Sequence, residues 1–225
     1  MKDVVLDTET TGLSVKDGHR IVEIGCIELD NLIPTHNKFH CYLNPEKKVS
    51  KKALEVHGYT DEFLFDKKKF KEIADGFLEF IKDKKIIIHN ASFDLSFINY
   101  ELQLVSLKKI DKENVIDTLE IARQKYPGSQ NSLDALCKRF NVDNSKRDKH
   151  NALIDCELLK EIYINLVDQK EPKLDLNNTE LLDEKNESVS ILTNNNLRQI
   201  IKPSSQELTN HKKYLKSFLP KNFFG

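Results

Sequence analysis

Four acidic residues and one histidine, spread over three short segments, are the side chains that could carry out chemistry together. The segment LDTETTGL contains Asp7 and Glu9, HNASFD contains Asp94, and HNALID contains His150 and Asp155. Carboxylate oxygens are the ligands that Mg²⁺ and Mn²⁺ prefer in proteins, and no cysteine spacing typical of zinc accompanies them. Together with a histidine that accepts a proton, this set predicts two divalent metal ions and the cleavage of a phosphodiester bond.

The first pair of acids is not specific on its own. Asp7 and Glu9 lie two residues apart at the end of the apolar run DVVLD. Positions i and i+2 of a strand point to the same face, so the two acids would repel each other unless a cation neutralised them. A solvated strand end with two unrelated acids is the more common situation. The pair therefore needs the other segments to indicate a metal site.

The second segment follows the apolar run IIIH at residues 86–89, and His89 and Asn90 are expected to fix the turn after it. Asp94 falls in the first turn of the next predicted helix, where the helix dipole favours a negative charge. Helix stabilisation and metal binding are thus both open for Asp94. Its neighbour Phe93 is a candidate for stacking on a base, although packing in a core is the more common role of phenylalanine.

In the third segment, KHNALIDCELL, apolar residues at helical spacing place Asp155 on a helix and His150 just before or at its start. Helix capping is the alternative for both residues. All three acidic segments lie at strand ends or helix starts, where open α/β sheets bind ligands. His150 is the predicted general base, because an ordinary histidine pKa near ~6.5 suits proton transfer.

The elements that must position these residues have the order of an α/β fold. Apolar runs predict strands at 3–7, 21–29, 38–43, 86–89 and 115–118. Helical spacing predicts helices at 67–83, 95–104, 118–125, 132–140 and 151–166. The first three strands suggest a meander, and the whole order predicts a mixed sheet with helices on its faces.

The composition changes at about residue 167. Residues 1–167 are expected to form one domain, and 168–188, which are polar and lack aromatic residues, a linker. The remaining tail, 189–225, is too short for an independent core. Disorder and partner docking are equally open for it; docking is favoured by its apolar residues Leu215, Phe218, Leu219, Phe223 and Phe224.

Charge and cysteine content indicate which partners and which cellular compartment to expect. The 35 basic and 36 acidic residues give a net charge of −1, whereas a protein that grips long nucleic acid by itself is usually basic. Binding of a nucleic-acid end, or delivery by a partner, is therefore expected. The four cysteines, at positions 26, 41, 137 and 156, are expected to be buried free thiols in a reducing cytosol. The absence of a signal-like or membrane-spanning apolar run predicts neither secretion nor membrane insertion.

The motifs D-x-E, Asp and H-x-x-x-x-D, in this order, resemble those of the DEDD superfamily of 3′–5′ exonucleases, in the subgroup whose last motif carries histidine. The stretches IVEIG, VHGYTDEFL, HNASFDLSFI, NSLDALCKRF and DNSKR are similar to those of the proofreading exonucleases of bacterial replicative polymerases. The likeness extends over about residues 1–166. It implies a ribonuclease H-like mixed β-sheet flanked by helices.

The resemblance also implies roles for individual positions. The expected ligands of two Mg²⁺ or Mn²⁺ ions are Asp7, Glu9, Asp94 and Asp155, and His150 is the expected general base. Of these, Asp7, Glu9 and Asp155 are also expected to contact the substrate.

Further substrate contacts follow from the same resemblance. His57 of EVHG resembles a residue that contacts the terminal nucleotide, and Phe93 remains the stacking candidate. Thr10 and Gly12 lie where a turn would approach the 3′ end. The family often has an acid where this chain has Lys52, so Lys52 either contacts a phosphate or is a plain solvated charge.

The partners implied by the resemblance are a single-stranded or frayed DNA 3′ end and the catalytic (alpha) subunit of a polymerase, bound through residues 189–225. A small accessory (theta-like) subunit and a sliding clamp are further expected partners. Clamp binding would use residues 171–176, where Glu171 replaces the usual glutamine. No membrane partner is expected, and the location would be the bacterial cytoplasm, at the nucleoid through the replisome.

The predicted function is removal of mismatched 3′ nucleotides from DNA with release of nucleoside 5′-monophosphates. A mispaired terminus unpairs at lower cost, which supplies the selectivity. One alternative is an RNA 3′-trimming nuclease with the same five residues. Another, of a different class, is a non-catalytic scaffold, although such a protein would be expected to have lost a metal ligand.

Overall fold

The computed structural model describes residues 2–167 and 203–218. Five strands form one mixed sheet in the order β3-β2-β1-β4-β5. They are β1 (Lys2–Thr10), β2 (Ile21–Asp30), β3 (Ile33–Tyr42), β4 (Lys85–Ile88) and β5 (Val115–Asp117). The first three strands are antiparallel neighbours, and β4 runs parallel to both β1 and β5. The predicted meander, the central position of β1 and the mixed sheet are confirmed.

Helices follow the strands on both faces of this sheet. They are α1 (Lys51–His57), α2 (Asp61–Phe65), α3 (Phe70–Ile81), α4 (Ala91–Leu104), α5 (Thr118–Lys125), α6 (Leu133–Phe140), α7 (Ala152–Leu166) and α8 (Ser205–Phe218). Short 3-10 turns lie at Val15–Asp17 and Lys112–Asn114. Within the described residues, none of these helices combines the length and apolar character needed to cross a bilayer.

The central strand β1 packs against a different layer of helices on each face because its side chains alternate. Val4 and Leu6 belong to the larger core cluster, together with α3 and α4. Val5, between them, faces the opposite side and packs with Leu159 and Tyr163 of α7. The sheet is therefore the middle of three layers, which is the predicted ribonuclease H-like arrangement of a mixed sheet flanked by helices.

Helix α7 approaches the sheet so closely that its neighbour on β2 can only be glycine. A Cβ atom on Gly25 would lie 2.6 Å from the backbone carbonyl carbon of Ala152, at the start of α7. One turn later, the Cys156 thiol donates to the Gly25 carbonyl at 3.2 Å. This contact places the first turn of α7 beside the end of β1 that carries the acids.

Some elements differ from the sequence predictions. β3 begins at Ile33 rather than residue 38, and α1 and α2 were not predicted at all. The cysteines are all free; three are buried as expected, whereas Cys41 is only half-buried.

The chain divides into two compact units, Met1–Leu174 and Asp175–Gly225. In the second, α8 begins with a reciprocal cap, in which the Ser204 hydroxyl accepts from the Glu207 amide and the Glu207 carboxylate accepts from the Ser204 amide. The predicted linker, residues 168–188, and the clamp segment, 171–176, lie outside the described residues. So do Leu219, Phe223 and Phe224, together with the side chains of Leu215 and Phe218.

Candidate active site

Asp7 and Glu9 lie near the carboxyl end of β1, where the pairing with β2 shifts register after Glu9. Asp94 reaches the same place from the first turn of α4, as the sequence predicts. Thr8, between the two strand acids, donates to the Asp94 carboxylate from its backbone N–H at 3.1 Å and from its hydroxyl at 2.7 Å. These bonds fasten the start of α4 to β1 and bring the three acids together.

The turn before α4 is held mainly by a residue of another strand. Asn90 has a left-handed backbone with φ of 67°, and its side chain makes no capping bond. Instead, the Asp117 carboxylate at the end of β5 accepts from the backbone N–H groups of Asn90 at 3.1 Å and Ala91 at 3.0 Å. His89 contacts the Thr118 hydroxyl at 2.9 Å. His89 therefore supports the turn as expected, but the contribution of Asp117 was not predicted.

Helix α7 begins with the Asn151 side chain as its cap, since this side chain accepts from the Ile154 amide at 3.0 Å. Asp155 lies in the first turn, and only 4% of its surface is exposed. His150 precedes the cap, and its backbone N–H donates to the Val56 carbonyl at 3.1 Å. This is the arrangement that helical spacing predicted for His150 and Asp155.

The side chains of Glu9, His150 and Asp155 converge. Each offers a ligand atom, and these atoms lie within 4.8 Å of one another. Burial, together with the nearby Asp94 and Glu9 charges, raises the pKa of Asp7 well above its usual range. Burial and neighbouring acids also raise the pKa of Glu9 to about 8.

Asp94 behaves in the same way, since burial raises its pKa to about 7 in spite of the bonds from Thr8. Within the described residues, the carboxylates of Asp7 and Glu9 accept no hydrogen bond from the protein, and both residues line an open cavity. Acids that are buried close together and lack protein donors are the situation that a bound cation relieves. Because all their donor atoms are hard oxygens, the residues fit Mg²⁺ or Mn²⁺.

Arg147 pairs with one of these acids, a contact that the sequence does not predict. Its guanidinium forms a two-point ion pair with Asp155, at 2.5 Å and 2.7 Å, and a second pair with Asp134 at 2.9 Å. It also donates to His150 Nδ1 at 2.9 Å. The only available signal was its position three residues before His150 in DNSKR.

Burial and the contact with Arg147 both favour the neutral form of His150. Burial, and then the Arg147 charge, lower the pKa of His150. Its ring is therefore neutral near pH 7, with the Nδ1 lone pair directed at the guanidinium. The imidazole can accept a proton at Nδ1 only after this contact opens. The His150 side chain is 45% exposed, and its Nδ1 also lies 3.5 Å from a carboxylate oxygen of Asp155.

An open cavity of about 1280 Å³ lies over these residues. All the residues predicted to act in the site line it: Asp7, Glu9, Lys52, His57, Phe93, Asp94, His150 and Asp155. Thr10 and Gly12 also line it. The structure thus brings together every predicted site residue, from β1 and the turn after it, α1, α4, and α7 with the residue before its cap.

The residues at the edges of the cavity differ in burial. Lys52 is exposed, and Leu13 projects from the rim with 79% of its surface exposed. Phe93 packs against Phe97 of the core, with ring centroids 5.0 Å apart, and turns another part of its surface to the cavity. Core packing and contact with a ligand are therefore compatible for Phe93.

His57 is buried at the wall of the cavity. Its Nε2 donates to the Thr10 carbonyl at 3.2 Å, and its Nδ1 accepts from the Tyr59 amide at 3.0 Å. Burial lowers the pKa of His57, so the ring is neutral and both nitrogens are engaged. His57 can therefore present its ring surface to a ligand.

Comparison with known proteins gives a consistent result. A family model described as Exonuclease matches residues 4–163. The chain is 47% identical to the DNA polymerase III subunit epsilon of Rickettsia felis, over 97% of both chains. It is 47% identical to the subunit of the same name from Escherichia coli K12, over 72% of this chain and 70% of that protein.

Solved structures show the same fold at lower identity. The nuclease domain of 3′hExo, described as a DEDDh family member bound to rAMP, superposes with a TM-score of 0.65 at 18% identity. The match covers 75% of this chain and 92% of that domain. Asp7, Glu9, Asp94, His150 and Asp155 all lie within residues 4–163, which the family model matches.

Proposed function

The chain belongs to the exonuclease family and is a 3′–5′ exonuclease, and we propose that it removes mismatched 3′ nucleotides from DNA as the proofreading subunit of a replicative polymerase. The observation that carries the proposal is the meeting of four carboxylates and His150 in one open cavity. Likeness to a polymerase subunit over 97% of both chains supports the assignment to replication.

In this proposal, Asp7, Glu9, Asp94 and Asp155 hold two divalent metal ions, Mg²⁺ or Mn²⁺. Such ions, when bound, activate water and stabilise the charge that develops on the attacking and leaving oxygens. The chain supplies the positions of the ligands. Thr8 orients Asp94 through two hydrogen bonds. A metal ion at Asp155 would have to displace the Arg147 guanidinium, which is also paired with Asp134.

His150 is the proposed general base. Its lowered pKa keeps the ring neutral near pH 7, which is the form that a base requires. Opening of the contact with Arg147 frees Nδ1 to take a proton from the attacking water. Because the Arg147 guanidinium contacts both Asp155 and His150, a single movement prepares a ligand and the base together.

The remaining cavity residues are proposed to bind the terminal nucleotide. Lys52 at the rim contacts a phosphate, while His57 and Phe93 present ring surfaces to the sugar and base. Thr10 and Gly12 line the same wall, where the backbone approaches the 3′ end. Hydrolysis on the 5′ side of the terminal nucleotide releases a nucleoside 5′-monophosphate, and a frayed mismatch enters most readily because it is already unpaired.

The proposed assembly follows from this function. Residues 189–225 bind the catalytic (alpha) subunit of the polymerase, and a theta-like accessory subunit and the sliding clamp, through residues 171–176, are further proposed partners. The protein would work in the cytoplasm at the replisome.

Cleavage of labelled DNA with a mismatched 3′ end, measured with Mn²⁺, tests the proposal. We expect Asp7→Ala to reduce kcat by at least about 1,000-fold and His150→Ala by about 100-fold. Asp3→Ala is the matched control, because Asp3 lies on the same strand at the end far from the cavity. It should leave kcat unchanged.

The same assay separates the alternatives. Undiminished cleavage by Asp7→Ala would contradict the metal assignment. A strong preference for an RNA strand of the same sequence would favour the 3′-trimming nuclease. Absence of any cleavage by the folded wild-type chain with Mn²⁺ would indicate a scaffold.

A further inference from the structure

Glu23 is a buried acid of β2 to which the proposed chemistry assigns no role. The residue is 0% exposed and stands directly opposite Glu9 in the pairing of β1 with β2. Burial of a carboxylate costs free energy unless hydrogen bonds compensate, and the nearby acids increase that cost. The contacts of its two oxygens therefore indicate why an acid is present at this position.

Four protein donors surround the Glu23 carboxylate. One oxygen, Oε1, lies 2.7 Å from His40 Nε2 and accepts from the Asn151 side-chain amide at 2.9 Å. The other, Oε2, accepts from the Tyr59 hydroxyl and from the Ala152 backbone N–H, both at 2.9 Å. A carboxylate has about four acceptor positions, so these donors leave none for a metal ion.

Two of these donors belong to the start of α7. Asn151 is the cap of this helix, and Ala152 is its first residue, whose N–H has no partner within the helix. A negative charge at this end is also favoured by the helix dipole. Glu23 therefore fixes the point from which α7 departs, directly after His150.

The third donor links Glu23 to His57, which lines the cavity. Tyr59 stacks on His57, with ring centroids 4.8 Å apart and an interplanar angle of 22°. Its hydroxyl also accepts from the Asn151 amide at 2.9 Å. Together with the bond from the His150 N–H to the Val56 carbonyl, these contacts join residues 56–59 to residues 150–152.

We propose that Glu23 is a positioning residue for the exonuclease reaction, which sets the location of His150 by anchoring the start of α7 to β2 and to Tyr59. The proposal rests on the proposed function, since it takes His150 as the general base. Glu23 touches neither the substrate nor a metal ion in this scheme, because protein donors occupy both of its oxygens.

Glu23→Gln tests this role with little change in side-chain volume. A glutamine offers one acceptor oxygen and an NH₂ group, so in either orientation its NH₂ faces donors that the carboxylate had satisfied. Release of the start of α7 should displace His150. We expect kcat at saturating Mn²⁺ to fall by about tenfold or more, while KM changes by less than about threefold.

Glu28→Gln is a matched control on the same strand. Glu28 is 2% exposed and accepts hydrogen bonds from Lys2, Thr35 and Asn37, with Lys84 as a further ion-pair partner. None of these residues lines the cavity. The two variants should lose similar thermal stability, but only Glu23→Gln should lose kcat.

A double-mutant cycle decides whether Glu23 acts through His150. In the full-length chain, we expect Glu23→Gln to change kcat by less than about threefold once His150→Ala is present. Amide hydrogen exchange should also be faster at His150 and Ala152 in Glu23→Gln but not in Glu28→Gln. An equal loss of kcat in both backgrounds, or a kcat equal to that of Glu28→Gln, would overturn the proposal.

Two further outcomes are distinguished by the same set of proteins. If Glu23→Gln does not fold, Tyr59→Phe removes a single hydroxyl from the same network, and it should lower kcat by a smaller factor that again disappears with His150→Ala. An unchanged kcat in Tyr59→Phe would then overturn the proposal. If His150→Ala itself retains the wild-type kcat, the assigned general base is wrong, and the fault lies in the proposed function.

Discussion

At the scale of single residues, the acids of the site hold their protons more strongly than isolated carboxyl groups. Burial and the neighbouring acids raise the pKa of Glu9 to about 8 and that of Asp7 well above its usual range, and burial raises the pKa of Asp94 to about 7. Binding of a cation must therefore expel protons that the metal-free protein retains near neutral pH. Proton release and metal binding are coupled at this site.

The stability of the metal-free protein should consequently fall as pH rises. Between the ordinary carboxyl pKa values and about 8, the folded state binds more protons than the unfolded state, so the free energy of unfolding decreases with pH. The lowered pKa values of His57, His89 and His150 act in the opposite direction, but only below about pH 6.5.

The decrease in stability of the metal-free protein should therefore be measurable between about pH 6.5 and 8. In EDTA, we expect the melting temperature to fall by about 3–5 °C across this window, and Mn²⁺ to abolish or reverse the trend. Differential scanning calorimetry checks both profiles. Glu9→Gln should flatten the profile in EDTA, and a flat profile for the wild-type chain would contradict the assigned proton binding.

The sequence identified the residues of the site better than their contacts. Types and spacing predicted Asp7, Glu9 and Asp155, which line one cavity, because strand and helix periodicity is local. Arg147 and Glu23 were not selected, since their roles depend on partners brought close by folding. The donors to Glu23 include Ala152, which lies 129 positions away in the chain.

At the scale of elements, the close approach of α7 to β2 determines where Asp155 and His150 lie. Gly25→Ala would place a Cβ atom 2.6 Å from the Ala152 backbone, which cannot give way as a flexible side chain can. Helix α7 would have to move. Position 25 is therefore a sensitive point for stability and for catalysis.

We expect Gly25→Ala to lower the free energy of unfolding by about 1–3 kcal/mol and to lower kcat by at least about tenfold. Gly76→Ala in the exposed part of α3 is the control. There a Cβ would be 3.9 Å from its nearest neighbour, and alanine should stabilise the helix by up to about 1 kcal/mol. Urea unfolding and exonuclease assays of both variants measure the effects; similar results for the two would refute the assigned packing constraint.

Element prediction succeeded where an apolar pattern was present and failed where capping decides the structure. The apolar face of α3 was predictable from the helical spacing of Phe70, Ile73 and Phe77, and all three residues are buried. Helix α1 has exposed apolar residues and no such face; it is defined by the Ser50 cap and by Gly58, whose φ of 79° ends it. Periodicity cannot detect a short helix of this kind.

At the scale of the whole molecule, the near-zero net charge indicates that the chain carries a cleavage site but attracts DNA only weakly. A net charge of −1 provides little long-range attraction for DNA, so the isolated chain should engage a free 3′ end weakly. Attachment to a polymerase that already holds the end would raise its effective concentration at the site without any new contact. Proofreading by this chain would then depend on the tail as much as on the cavity.

Deletion of residues 190–225 should therefore affect delivery rather than chemistry. We expect the shortened chain to cleave single-stranded DNA at saturating concentration with a kcat within about twofold of that of the full chain. The reason is that the four acids of the site, Asp7, Glu9, Asp94 and Asp155, all lie in the first compact unit. It should not co-purify with the polymerase catalytic subunit. At nanomolar protein, its rate on a mismatched primer in the presence of the polymerase should fall by about 100-fold, since avidity is lost.

A point substitution in α8 provides a finer form of the same test. Leu208 exposes 48% of its surface and is an apolar residue that a partner would cover, so Leu208→Asp should weaken co-purification. Asn210→Asp introduces the same charge on the same helix at a residue that is already polar and exposed, and it should have little effect. If the shortened chain still co-purifies with the polymerase, docking uses the exonuclease domain. If co-purification is lost in the shortened chain but kept in Leu208→Asp, the tail makes the contact through residues other than Leu208.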